Sequence, residues 1–176
     1  MSETYFKLSL RPAPRLKMQI ASSLDEQFAR LHASSLALVG AVPSDKLYWQ
    51  PPREHARNFP IYSCGEHILR SAAAVEQTFG GINVNLWDDP FEWTLPETLP
   101  TPAHVADYLN ETEATRQRAF QSLHSDADLS KEIATPSGEM RTLFALLAET
   151  LARAAHHQGR AYATFRLFSD ARLPRI

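Results

Sequence analysis

The sequence predicts an all-α protein, a four-helix bundle with a long packed loop between its second and third helices. Three observations carry that expectation. Apolar residues recur at spacings of three, four and seven in four separate stretches. No strand-rich segment separates those stretches, which favours helix on helix over mixed layers. Their ends are punctuated: the first runs into Pro43, the second into Gly80-Gly81, and the third opens at Thr101-Pro102.

After an irregular start containing Pro12 and Pro14, residues 17–42 place Ile20, Leu24, Phe28, Leu31 and Leu38 on one helical stripe. Residues 44–60 are rich in proline and charge and read as a connection. A second helix is expected over 61–79, with Ile61, Cys64, Ile68, Ala72, Val75 and Phe79 facing inward and the glycine pair as its stop. The segment 82–100 carries three prolines and two tryptophans, too apolar for a free linker, and is expected to pack on the body. Thr101 is placed to cap a third helix over 102–123, with Pro102 at the first position and Val105, Tyr108, Leu109, Thr112, Ala119, Phe120 and Leu123 inward. A polar connection with room for a short extended piece leads to a fourth helix over 141–168, whose stripe is Leu143, Leu147, Leu151, Ala154, Ala161 and Phe165. Residues 1–176 suffice for one domain with its own core.

Composition narrows the function. Lys and Arg number 18 against 20 Asp and Glu, a net charge of −2, so the basic footprint of a nucleic-acid binder is missing. No apolar run reaches membrane-spanning length, which argues against a membrane partner. One cysteine forms no internal disulfide, and the first residues lack the apolar run of a secretory signal, so the cytoplasm is the expected compartment. Cys64, on the apolar stripe, is expected as buried filler rather than a nucleophile.

The candidate chemistry lies on two helix flanks. With Leu147 at the centre of the fourth stripe, His157 falls roughly 80° from it and the adjacent His156 roughly 180°, so His157 edges the core while His156 faces solvent. Glu149 and Arg153 precede His157 by two turns and one turn on the same flank, where they are expected to form a surface ion pair. On the second helix, with Ile68 at the centre, His67 falls roughly 100° off and Arg70 roughly 160° off, on one side. These flanks are expected to face each other across a groove. Gly159, in mid-helix, costs about 1 kcal/mol relative to alanine, which calls for close helix packing or a ligand against the backbone.

Two stretches carry a family resemblance: "YSCGEHILRSAAAVEQTFGG" in the second helix and "HHQGRAYATFRL" in the fourth. They resemble the Gly-Glu-x-x-x-His and His-x-x-x-His-Arg-Gly-Gln patterns of the DinB-like superfamily, four-helix bundles that include thiol-dependent transferases and isomerases. The resemblance implies a divalent metal, zinc or nickel, held by one histidine of the second helix and two of the fourth. Carried over residue by residue, His157 matches one ligand, but Arg153 stands at the position four residues earlier. The second-helix ligand position is matched by Arg70, with His67 three residues before it. Gln158-Gly159-Arg160 exchanges the outer members of the family's Arg-Gly-Gln.

Arginine offers donors only and cannot ligate a metal. Two functions therefore follow from the resemblance. In one, the metal is lost and Arg70 and Arg153 hold an anionic small molecule or pair with Glu66 and Glu149. In the other, His67 and His157 with a third ligand hold zinc or nickel, and a metal-activated water serves a transferase or hydrolase reaction on a small molecule. The ligand inventory favours the first. The resemblance also implies a homodimer, which agrees with the apolar load of Trp87, Phe91 and Trp93 in a loop.

Overall fold

The computed structural model describes residues 18–52, 60–90 and 94–172. Phe91 and Trp93, and the ends of the chain, lie outside the described residues. Within them the chain is all-α: α1 (Gln19–Ala41), α2 (Cys64–Val84), α3 (Pro102–Gln121) and α4 (Leu143–Phe165), with a two-stranded antiparallel hairpin, β1 (Glu132–Ala134) and β2 (Met140–Thr142), leading into α4. The hairpin is the extended piece expected in the polar connection.

Local chemistry accounts for most of the helix ends. Val42 is already extended, and Pro43 follows it. Ser63 and Glu66 form a reciprocal capping box that starts α2 at Cys64, three residues later than the stripe alone predicts. Thr101 accepts a hydrogen bond from the His104 N–H, with Pro102 in the first turn of α3. Thr142 accepts from the Ala145 N–H at 3.3 Å and opens α4. The start of α1 differs: Met18 offers no side-chain cap, and the Asp126 carboxylate accepts from the Gln19, Ile20 and Ala21 N–H groups instead.

The glycine pair does not stop α2. The helix continues to Val84 and ends on Asn85, which takes the left-handed conformation with φ 56°. Gly81 serves packing: an alanine Cβ there would lie 2.4 Å from the Trp87 ring, so the bare backbone lets the indole lie on α2. With Pro90 and Thr94 also buried, the described part of the second-to-third connection packs against the body as expected.

α2 packs chiefly on α4 and α3, and α1 bridges α3 and α4. The core falls into two clusters. One gathers Leu38, Leu47, Cys64, Ile68, Val105, Leu109, Ala161 and Phe165, and the other Phe28, Val75, Phe79, Ala119, Phe120, Leu143 and Leu147. Buried polar bonds lie between helices as well: Ser71 Oγ donates to the Ala154 carbonyl at 2.8 Å, and Gln158 Nε2 donates to the Leu31 carbonyl and Ser35 Oγ at 2.7 and 2.8 Å. Arg116, 3 % exposed, is held by Glu113 and by Asp25 of α1. Ile20, placed on the inner stripe by its spacing, is 51 % exposed because it stands in the first turn of α1.

Candidate functional site

The pairs Ser71 with Ala154 and Thr78 with Thr150 show α2 and α4 running antiparallel, so residues rising along one meet residues falling along the other. This seam brings the predicted flanks together. His67 and His157 face each other with ring centroids 5.9 Å apart, while His156 is exposed as its phase requires. His67 is only 5 % exposed, more buried than its place on the α2 flank predicts. The reason is that Ser71, Ala72, Ala73 and Ala74 are all buried and admit neighbours on several faces of α2.

Both imidazoles are held neutral. Burial first, then the neighbouring His157, Arg160 and Arg70 charges, push His67 down to about 4. Burial first, then His156, Arg70, Arg160 and Arg153, push His157 down to about 4 as well. The Nδ1 atoms of both rings are buried and find no hydrogen-bond partner among the described residues.

Beside the pair, Arg70, Gln77, Asp89, Arg153 and His157 line a cleft of about 140 Å³, with Ala73 and Ala74 leaving the space open. The Arg70 guanidinium stacks on the Tyr62 ring, 4.0 Å from its centroid, and Tyr62 also meets His67 edge-on at 5.5 Å. Arg153 donates to Gln77 Oε1 at 3.2 Å and to the Ala74 carbonyl at 3.4 Å. Among the described lining residues, two guanidinium groups stand beside one carboxylate and a neutral imidazole.

The two glutamates do not join it. Glu149 accepts from Arg141 at 2.9 Å rather than from Arg153, because the hairpin sets Arg141 beside the first half of α4. Glu66 is taken up by the capping box and by Gln50 Nε2 at 3.2 Å. Gly159 has open space where a Cβ would be, so close helix packing does not account for it. Cys64 is fully buried, and burial pushes its thiol up to about 12, as filler should be. Gln77, Asp89 and Tyr62 had no signal in the spacing, since they reach the seam only through tertiary packing.

The donor set does not fit the three-ligand metal centre that the resemblance implies. His67 and His157 supply two imidazoles, the other matched positions hold arginine, and among the described residues no three His, Cys, Asp or Glu side chains are grouped to hold an ion. Comparison of the chain with protein-family models, with curated proteins and with solved structures finds no match in any of the three.

Proposed function

We propose that the chain is a divergent DinB-like four-helix-bundle protein in which the α2/α4 cleft, its metal site lost, binds an anionic small molecule. One observation carries this reading: Arg70 and Arg153 line the same cleft beside two neutral histidines, where the related pattern would place ligands. Arg153, bonded to a neutral amide and a carbonyl, offers guanidinium donors to a carboxylate or phosphate, and Arg70 adds a second positive charge to the cleft. The reading takes the protein as a cytoplasmic homodimer without nucleic-acid or membrane partners. The net charge of −2 supports the lack of a nucleic-acid partner, and among the described residues no helix is long and apolar enough to cross a membrane.

A second reading, a metal-dependent transferase or hydrolase, has one observation in its favour: the unpartnered Nδ1 atoms of His67 and His157 in one buried place. Calorimetric titration separates the two. The native protein is expected to bind inorganic phosphate and to take up no stoichiometric zinc or nickel. Arg153→Gln should weaken phosphate binding about tenfold, a loss of about 1.4 kcal/mol. The Arg70→His/Arg153→His double variant should gain zinc affinity. One-to-one zinc binding by the native chain would decide for the second reading.

A further inference from the structure

A second compartment of about 230 Å³ opens where α2, α4 and the turn between β1 and β2 meet. Gln77 and Arg153 line both compartments and bond each other at 3.2 Å, so the two adjoin along the seam. We propose that this second compartment takes the planar ring of an aryl acid whose carboxylate or phosphate lies against Arg153. The inference rests on reading the first compartment as an anion site.

The wall that selects a ring is Trp87. Its indole rests on the bare backbone of Gly81, its Nε1–H donates to Asn85 Oδ1 at 3.0 Å, and its carbonyl accepts from Gln77 Nε2 at 3.1 Å. The polar edge is therefore satisfied, and the ring is what Trp87 offers to an occupant. Pro136 and Leu146 add apolar surface to the compartment. Its other polar groups are engaged: Thr78 and Thr150 bond each other at 2.7 Å, the Thr135 and Ser137 hydroxyls of the turn meet at 2.9 Å, and Arg141 pairs with both carboxylates of the lining, Glu149 and Glu139. Arg153 is different. Its bonds go to a neutral amide and a carbonyl, and among the described residues no carboxylate pairs with it. An acid at the junction of the compartments would supply that missing charge.

The test compares inorganic phosphate with phenyl phosphate, and acetate with benzoate, by calorimetry on the full chain. Each aryl acid should bind about tenfold or more tightly than its ring-free counterpart, a difference of about 1.4 kcal/mol. Trp87→Leu and Ser137→Trp, the latter filling the compartment from the exposed turn, should abolish that gain and leave phosphate and acetate unchanged. If Trp87→Leu does not fold, Ser137→Trp still decides. No gain from the ring, a gain that survives Ser137→Trp, or equal affinity for cyclohexyl phosphate would overturn the aryl-acid inference while leaving the anion site intact. Failure of all four probes to bind would overturn the anion site itself, and the aryl-acid inference with it.

Discussion

His67 and His157 stand ring to ring across the antiparallel α2/α4 seam, 5.9 Å between centroids and inclined by 33°, each with a buried Nδ1 that no group among the described residues satisfies. The pair is surrounded by charge it does not share: Glu66 and Arg70 from α2, and Arg153, His156 and Arg160 from α4. Keeping both rings neutral is the condition for burying them there.

That condition makes stability depend on pH. Each ring has its folded pKa pushed to about 4, below the ordinary value of 6.5. Between those values the unfolded chain binds more protons than the native one, so the contribution is complete above pH 6.5 and is lost as pH falls toward 4. Burial raises the Glu76 carboxyl toward the same window with the opposite sign, so the share of the histidines is read from the difference between the native profile and that of a variant lacking both rings. Scanning calorimetry should show Tm falling between pH 7 and 4.5, by about 2–4 °C for each kcal/mol lost in a chain of this size. His67→Asn/His157→Asn should flatten the curve only in part, because burial also lowers His32. A flat native profile would mean that the pair is not buried in the neutral form.

Two glycines should respond to alanine in opposite directions. At Gly159 a Cβ meets nothing, so Gly159→Ala should stabilise by about 0.5–1 kcal/mol through helix propensity. At Gly81 the Cβ would collide with the Trp87 ring, so Gly81→Ala should destabilise by about 1–3 kcal/mol through overpacking. Denaturant midpoints measure both. Equal shifts in one direction would contradict the packing of Trp87 on α2.

Asp126 holds the start of α1 from a distant turn, and its bonds to the Ala21, Ile20 and Gln19 N–H groups keep its carboxyl below the ordinary range. Asp126→Ala should lower Tm and speed amide exchange in the first turn of α1 while leaving α4 protected. Unchanged exchange at Gln19–Ala21 would refute the cap.

The homodimer proposed above has a direct check. Light scattering at tens of micromolar should give twice the chain mass of 19.8 kDa. Exposed Val84 and Leu86, at 72 % and 53 %, add apolar surface around the same connection. A single-chain mass would remove the proposal.

The sequence by itself determined the all-α class, the order of the four helices, the caps at Thr101 and the stop at Pro43, and the separation of His157 from His156. These follow from period, propensity and contacts within a turn or two, which a chain carries wherever it folds. Only the tertiary structure decided the rest. Arg153 meets Gln77 instead of Glu149, Glu149 meets Arg141 because the hairpin sets it there, and α1 is capped by Asp126 from another turn. His67 is buried because α2 has neighbours on several faces, and Gly81 lies within α2 because Trp87 needs its bare backbone. A helical wheel sets a side chain's angle about its own axis. It does not say which helix lies at that angle, at what height, or with which partner, and those depend on how separately encoded surfaces pack.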